Sequence, residues 1–323
     1  MLLCLSLFFY REQLLEIVRG IRQVSIFGLC AGILLSLGAY VLEGMTIRFM
    51  MAANGTREGK SRSGVKIAFL CEFYRMITLG NGSGIAEIHY MHENGIEPGN
   101  ATALTMLQYM FKRIVVLILG VLGYAILYRG EDTGRFCGEY RGFMGLAALI
   151  SLAVIVCFLC LALSARIAAY TLHFLDWLAT KRPSWEKRVS EWKEQILLLN
   201  RSGKNVLGQR GKMCCVTLCQ FGKLLLFYSI PMCFLTAYSQ LTATEGILLM
   251  AVVYMLSGVI PMPSGAGSLE VIFALAFSAF GGLDMALSAI LVFRFATWVI
   301  PFALGGVLLL AERAGNFDSA RQT

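Results

Sequence analysis

The sequence predicts an all-α, polytopic helical membrane protein made of two inverted repeats, each with a re-entrant broken-helix hairpin. Of its 323 residues, 57% are hydrophobic and 15% are charged, and the mean hydropathy is +0.69. Several apolar runs approach the roughly 20 residues that cross a bilayer. Two other apolar stretches are interrupted by glycine-rich breaks, and a glutamate follows each break. Irregular backbone at membrane depth persists only where protein buries it or where it lines a polar cavity.

Five apolar runs are predicted to be full spans, at residues 24–53, 101–128, 142–163, 213–238 and 285–310. Before them, residues 11–22 place Leu, Ile and Val on one helical face, which predicts a helix lying in the membrane interface. Residues 65–93 contain two arms that are too short to cross, separated by a break at 80–84. A second break, at 261–267, divides the stretch 245–282. Both stretches are predicted to be re-entrant hairpins rather than pairs of crossings.

The net charge of +8 is concentrated in one loop, because residues 166–212 contain ten of the 28 Lys and Arg residues. Cytoplasmic loops carry an excess of basic residues, so this loop is predicted to be cytoplasmic. The uneven distribution favours membrane orientation over nucleic-acid binding, and no direct nucleic-acid partner is expected. Apolar residues at helical spacing predict a connector helix resting on the membrane surface, with a docking site for anionic lipid or a partner as the alternative. They are Trp185, Val189, Trp192, Ile196 and Leu199.

A six-residue pattern, Gly-small-Gly-x-x-Glu, occurs at residues 82–87 and again at 265–270. Each copy precedes a full span with an embedded arginine, Arg113 or Arg294. The single crossing at 142–163 gives the two copies opposite orientations. We therefore predict one domain, residues 1–323, in which this crossing links two repeats. Such repeats are typical of transporters, whose substrate site lies at the repeat interface. The predicted repeats occupy about residues 24–128 and about residues 213–312.

The second break contains residue types that suit a polar site inside a membrane. Pro261 and Pro263 lack a backbone donor, while Gly265 and Gly267 permit a tight reversal. Glu270 follows in apolar surroundings, where an ionised carboxylate is costly. Together with the first break, these features give ten candidate substrate-binding residues. They are Gly82, Gly84, Glu87, Arg113, Pro261, Pro263, Gly265, Gly267, Glu270 and Arg294.

The embedded charges support two interpretations. In the first, Glu270 with Arg294 and Glu87 with Arg113 face an interior polar cavity. A cation there receives a lipid phosphate, helped by amides at the helix N-termini. In the second, the charges pair only to stabilise helix packing, because either alone costs about 2.5–3.5 kcal/mol or more at the bilayer centre. Lys112 is a further candidate partner, but its long side chain could instead extend to the membrane surface.

The sequence predicts no metal, cofactor or catalytic residue. The ten cysteines fall mostly in apolar runs, where cysteine acts as a small hydrophobe, and only Cys137 lies in a clearly polar loop. Cys157 and Cys160 have metal-like spacing, but no matching second pair accompanies them. His89 and His92 are three residues apart, which alone is a weak indication of metal binding. No phosphate-binding loop or nucleophile elbow is present.

Residues 260–270 resemble the P-x-P-G-G-x-G-x-x-E signature of the lysylphosphatidylglycerol synthase transmembrane region. This flippase-like region precedes the lysyltransferase domain of the bifunctional phosphatidylglycerol lysyltransferase, and it also occurs alone. Residues 80–87, with Arg113 in the next span, resemble the earlier P-G-x-x-G-[DE] loop of the same family. Leu79 stands where the family usually has proline, and Ser264 replaces a glycine. Both departures are expected to alter the turn geometry or the substrate choice relative to the family.

The resemblance implies a multi-pass protein of the bacterial plasma membrane that moves a phospholipid between leaflets. The lipid would be lysylphosphatidylglycerol, another anionic or aminoacylated lipid, or a polyprenyl-linked lipid. One alternative is lysyl transfer from lysyl-tRNA to phosphatidylglycerol with a separate soluble transferase, and another is a membrane scaffold for a cell-envelope enzyme. We expect the lipid-translocating half, because the catalytic domain would need a couple of hundred residues after Thr323. Membrane phospholipid, further copies of the chain and a soluble transferase are the expected partners.

Overall fold

The computed structural model describes residues 25–55, 61–78, 82–181, 186–235, 240–260 and 267–321. These residues are almost entirely helical, and no β-strand occurs among them. The predicted all-α class is therefore confirmed. The interfacial helix predicted at 11–22 lies outside the described residues, and so do 79–81 and 261–266 within the two glycine-rich breaks. Pro261, Pro263 and Gly265 belong to the last of these segments.

Fourteen α-helices and one π-helical turn occur in the described ranges. The π-helical turn is Phe295–Val299, between the last two α-helices. The α-helices are α1 Ile26–Ala53, α2 Ser61–Ile77, α3 Gly82–Glu93, α4 Pro98–Leu127, α5 Glu131–Glu139, α6 Arg141–Leu163, α7 Ala165–Lys181, α8 Glu186–Leu207, α9 Arg210–Ser229, α10 Met232–Leu235, α11 Ala243–Ser257, α12 Ser268–Gly281, α13 Leu283–Arg294 and α14 Ile300–Arg321.

Five helical stretches among the described residues are long and apolar enough to cross a membrane, which makes this a multi-pass membrane protein. They correspond one to one with the five spans predicted from the apolar runs. The third is the most apolar, with a mean hydropathy of 3.0. The stretches are Ile26–Ala53, Pro98–Leu127, Arg141–Leu163, Arg210–Leu235 and Leu283–Arg313.

Four shorter helices flank the two breaks. The helices α2 and α3 have 17 and 12 residues, and α11 and α12 have 15 and 14. At 1.5 Å per residue these lengths are roughly 18–26 Å, less than the roughly 30 Å of a bilayer core. The helix α2 packs against α3, and α11 packs against α12. Their re-entrant course and the inverted relation between the repeats stay predictions.

The chain forms two compact units. The first contains residues 1–39, 116–148 and 224–304, and the second contains residues 40–115, 149–223 and 305–323. Large aromatic side chains fill the first core, where Phe273 stacks on Phe277 with ring centroids 4.2 Å apart. In the second unit Ile47, Met50 and Leu70 are almost fully buried. The second glycine-rich motif belongs to the first unit, and the first motif belongs to the second.

Glycines bring the helices of the second unit into backbone contact. A Cβ atom added to Gly44 of α1 would lie 2.4 Å from Val65 Cα of α2. One added to Gly305 of α14 would lie 2.4 Å from the carbonyl oxygen of Phe69, also in α2. Only glycine permits such close approach, which is a common way for membrane helices to pack. The neighbour of Gly44, Glu43, is thereby held inside this unit, with its side chain 17% exposed.

The predicted basic loop consists of two packed helices, α7 and α8. The connector helix expected here is α8, although Trp185 lies outside the described residues. Two of its predicted membrane-facing residues, Val189 and Leu199, are buried within the protein. The Asn200 side-chain amide donates to the Leu161 carbonyl oxygen at 2.8 Å. Much of the apolar face of α8 therefore packs against the rest of the second unit.

Candidate functional site

Glu270 links the start of α12 to the end of α13 through hydrogen bonds. Gly267 precedes α12 with a φ of 93°, in the left-handed region that favours glycine. Its N–H donates to Glu270 Oε2 at 2.7 Å. The other carboxylate oxygen, Oε1, accepts from Arg294 Nε at 2.6 Å. Because Glu270 is the third residue of its helix, its side chain can reach back to the unpaired amide at the helix start.

Arg294 has an aromatic neighbour as well as the carboxylate. Its guanidinium lies 3.9 Å from the ring centroid of Trp298, an arrangement that stabilises a cation over an aromatic face. The π-helical turn Phe295–Val299 begins directly after it. Pro301 has no N–H to continue the ordinary α-helical pattern here. The structure thus joins Glu270 and Arg294, two of the candidate residues, in a closed contact in which Arg294 and the Gly267 amide bind different carboxylate oxygens.

The first glycine-rich motif has a different geometry, despite its matching sequence. The helix α3 already begins at Gly82, whose N–H donates to Thr78 Oγ1 at 2.6 Å. That hydroxyl donates in turn to the Tyr74 carbonyl oxygen at 2.7 Å. Glu87 is therefore the sixth residue of its helix, too far along to reach back to the first amide. A Cβ on Gly84 would meet nothing within 4 Å.

Arg113 and Glu87 make no contact in the part of the chain that the structure describes. Arg113 Nε instead donates to the hydroxyl of Tyr109 at 2.7 Å, one turn earlier on α4. Its neighbour Lys112 lies within electrostatic range of Glu43, Arg75 and Lys223. Glu87 and Arg113, the two candidate residues expected to face one cavity, are thus not in contact, and Lys112 is the α4 cation that belongs to the buried group.

The centre of that group is Glu43, which sequence reasoning did not select. Lys223 Nζ of α9 lies 2.7 Å from Glu43 Oε2, and Gln220 Nε2 donates to the same oxygen at 3.1 Å. Gln108 Nε2 of α4 donates to Glu43 Oε1 at 3.3 Å. The signal available in the sequence was the presence of charged residues, Glu43 and Lys223, within two apolar runs. We call Glu43, Lys223, Gln108, Gln220, Glu87, Thr105 and Lys112 the polar cluster.

Several oxygens of the polar cluster lack hydrogen-bond partners. A carboxylate can only accept, so both glutamine amides must direct their nitrogens at Glu43 and their oxygens away from it. Gln108 and Gln220 are 6% and 0% exposed, and neither Oε1 has a partner among the described residues. Thr105 lies beside the Glu87 carboxyl group. Neither the Thr105 hydroxyl nor Glu87 Oε1 forms a hydrogen bond of ordinary geometry with the described residues. The cluster thus holds four buried oxygens able to accept hydrogen bonds.

Three of these side chains lie on one face of α4. Thr105, Gln108 and Lys112 follow at intervals of three and four residues, which places them in one line along the helix. Lys112 forms no hydrogen bond or ion pair with the described residues. An ammonium group and four acceptor oxygens therefore occur together without complete partners. Such a set can bind a group that carries both hydrogen-bond donors and negative charge.

The family model described as "Lysylphosphatidylglycerol synthase TM region" matches residues 1–305. The chain belongs to this family. The match includes the Glu270–Arg294 contact and every residue of the polar cluster. A search of curated proteins found no match. Membership gives the chain a membrane role in lysylphosphatidylglycerol synthesis or translocation, and confirms the resemblance inferred from the two glycine-rich motifs.

A second ion pair lies near the polar cluster in this member of the lysylphosphatidylglycerol synthase transmembrane family. Glu72 is 1% exposed and lies 2.9 Å from Arg75 Nη1 on the same helix. Tyr40 of α1 lies close to Glu72, and its ring stacks on Phe69 with centroids 5.3 Å apart.

No three His, Cys, Asp or Glu side chains within the described ranges are placed to hold a metal ion.

Proposed function

We propose that the chain binds the headgroup of a phospholipid in the polar cluster and moves that lipid between leaflets. Lysylphosphatidylglycerol, or another anionic or aminoacylated phospholipid, is the proposed cargo. The observation that carries this proposal is the set of four buried acceptor oxygens in the same polar cluster as Lys112. Buried polar groups are normally hydrogen-bonded, so such a set favours a ligand that completes it.

The chemistry of this headgroup complements the polar cluster. A lysyl group carries two ammonium groups and the glycerol carries a hydroxyl, all of which donate hydrogen bonds. They would bind to Glu87 and to the oxygens of Gln108 and Gln220. The phosphodiester is anionic and would lie near Lys112. Charge-assisted hydrogen bonds of this kind are the stronger ones in proteins. The acyl chains would stay in the lipid.

The two pairs of short helices support movement across the membrane rather than binding alone. Broken helices near the bilayer centre are a recurring feature of transporters. We propose that both pairs are re-entrant hairpins of two inverted repeats, in a bacterial plasma membrane, with residues 166–212 on the cytoplasmic side. Single-cysteine labelling tests this topology. Ser83→Cys should react from the cytoplasmic side and Ser264→Cys from outside, and labelling of both from one side would refute the inverted arrangement.

The transport proposal is tested with purified protein in liposomes. Fluorescently labelled lysylphosphatidylglycerol, phosphatidylglycerol and a polyprenyl phosphate are compared, and a membrane-impermeant quencher reports the fraction in each leaflet. We expect Lys112→Met to slow the preferred lipid about ten- to a hundredfold, because a hydrogen bond to a charged group contributes about 1.5–3 kcal/mol. Lys66→Met is the matched control, since Lys66 pairs with Glu312 outside the cluster. Acceleration of none of the three lipids by folded protein would remove the proposal.

The family's description as a synthase favours lysyl transfer as a second candidate function. In that case a separate soluble transferase would supply the reaction with lysyl-tRNA, and this chain would present phosphatidylglycerol. Cells that lack lysylphosphatidylglycerol provide the test when the chain is expressed with and without such a transferase. Lipid made only in the presence of both proteins, together with no flipping in liposomes, would favour this second function.

A further inference from the structure

The helix α7 presents an unusually apolar face to its surroundings. Ile167, Tyr170, Phe174 and Trp177 are 40%, 77%, 57% and 49% exposed. They are spaced by three, four and three residues, so they form one stripe along the helix. We call these four residues the α7 stripe. The other side of α7 is buried, at Ala168 and Leu175. The stripe therefore points away from α8, and no described residue covers it.

The stripe continues the lipid-facing surface of a membrane span. The helix α6 is the most apolar of the five candidate spans, and it exposes Leu149, Leu152 and Val156 by 64%, 49% and 48%. Its last residue, Leu163, is 49% exposed. Only Ser164 separates α6 from α7, where its hydroxyl accepts from the N–H of Ile167 at 3.3 Å. Apolar side chains that face acyl chains on α6 are thus followed directly by the α7 stripe.

Positive charge lies at both ends of the α7 stripe. Arg166 precedes it and Lys181 follows it, and both are exposed. Lys181 Nζ lies 4.3 Å from the ring centroid of Trp177. Asp176 is the one acidic residue of α7, and it forms an ion pair with Lys193 of α8. The stripe therefore has cationic ends and no unpaired negative charge beside it.

We propose that α7 is an interfacial helix that binds the surface of an anionic lipid leaflet. The α7 stripe enters the boundary between headgroups and acyl chains, and Arg166 and Lys181 contact lipid phosphates. Tyr and Trp are enriched at this depth because one end of each ring is apolar and the other is polar. A helix with an apolar aromatic face and basic residues at its edges is typical of interfacial binding. A leaflet rich in phosphatidylglycerol supplies the complementary negative charge.

This proposal is independent of the transport proposal and moves the membrane contact to a different helix. The spacing of Trp185, Val189, Trp192, Ile196 and Leu199 predicts a membrane-surface helix at α8, but Val189 and Leu199 are buried inside the protein. The helix α8 instead holds α7 in place through their shared contact. A protein partner on the α7 stripe would shield it from both lipid and water, so quenching experiments distinguish the two occupants.

The test uses the full chain in lipid nanodiscs. Replacement of Trp185, Trp192 and Trp298 by Phe leaves Trp177 as the single fluorophore, and brominated lipids report its contact with acyl chains. We expect strong quenching of Trp177 by these lipids and weak quenching by aqueous iodide. The control variant carries Trp177→Phe and Ala169→Trp, which moves the fluorophore to an exposed position on another side of α7. There we expect the opposite pattern.

A second comparison tests the charge. Nanodiscs of phosphatidylcholine alone are compared with nanodiscs that also contain phosphatidylglycerol. We expect the anionic lipid to increase the quenching of Trp177, and Arg166→Gln with Lys181→Gln to remove that increase. Quenching of Trp177 by iodide alone would place the stripe in water and overturn the proposal. Protection from both quenchers would indicate a covering protein and overturn it equally, and indifference to phosphatidylglycerol would refute the preference for anionic lipid.

Discussion

Removal of the Lys223 ammonium is the sharpest test of the polar cluster as a buried electrostatic unit. Lys223 and Glu43 have side chains only 6% and 17% exposed, with 2.7 Å between the charged atoms. At an effective dielectric constant of about 20, Coulomb's law gives an attraction of about 6 kcal/mol at this distance, which desolvation partly offsets. Lys223→Met leaves the Glu43 carboxylate with its two glutamine hydrogen bonds but without this cation.

We expect Lys223→Met to destabilise the protein by about 3–5 kcal/mol, because it removes the ammonium group that pairs with the buried Glu43 carboxylate. At about 2 °C per kcal/mol for a chain of this size, the midpoint of thermal unfolding should fall by about 6–10 °C. The assay is the fraction of detergent-solubilised protein that remains monodisperse after heating. The double variant Glu43→Gln with Lys223→Met removes both charges and should recover most of the loss.

Lys66→Met provides a control with a similar contact and different burial. Lys66 lies 2.6 Å from Glu312, but the two side chains are 38% and 28% exposed. Solvent screening should keep the loss below about 1 kcal/mol. An equal effect of Lys66→Met and Lys223→Met would show that burial does not strengthen the Glu43 contact. Strict additivity in the double variant would likewise refute the electrostatic explanation.

Two further predictions concern the start of α12 and the short helix α5, which lies between two candidate spans. Gly267→Ala should lower the free energy of unfolding by about 1–3 kcal/mol, since it forces an L-residue to a φ of 93°. Gly84→Ala is the control, because its added Cβ would lie in open space, and it should be neutral or slightly stabilising in the same heating assay. Burial raises the pKa of the Cys137 thiol to about 11, so little reactive thiolate exists at neutral pH. Maleimide labelling of Cys137 should therefore increase as the pH rises toward 11. Gly138→Cys adds an exposed thiol for comparison; peptide mapping that finds Cys137 labelled as fast at neutral pH would contradict this expectation.

The sequence placed Glu270 and Arg294 among the candidate residues of one motif, but it did not indicate that Glu87 lies near Glu43. Both glutamates close the same six-residue pattern, but α12 begins at Ser268 while α3 begins at Gly82. The hydroxyl of Thr78 fixes the earlier start of α3 by accepting from Gly82 N–H. Glu270 is therefore the third residue of its helix and Glu87 the sixth. This difference in position turns the Glu87 carboxylate away from the helix start and into the polar cluster. The sequence pattern repeats, whereas the position of its glutamate within the helix does not.

The polar cluster escaped prediction because its members come from distant parts of the chain. Gln220 and Glu43 are 177 residues apart in sequence, and they lie in different membrane-spanning helices, α9 and α1. Helical periodicity tells which residues share a face of one helix, but it does not tell which helices meet. Between α1 and α9 the packing is close at Gly222, where an added Cβ atom would lie 3.0 Å from Leu42 Cδ1.

The sequence alone determined the membrane environment, the five spans, the two interrupted helices and the family. These properties depend on the length and hydrophobicity of local segments and on short motifs, all of which are read along the chain. Tertiary structure decided which charges pair, which oxygens lack partners and which apolar face stays exposed. Those outcomes depend on helix starts and on packing between residues far apart in sequence. In a low-dielectric interior, such differences in position decide whether a charged side chain stabilises the fold or completes a binding site.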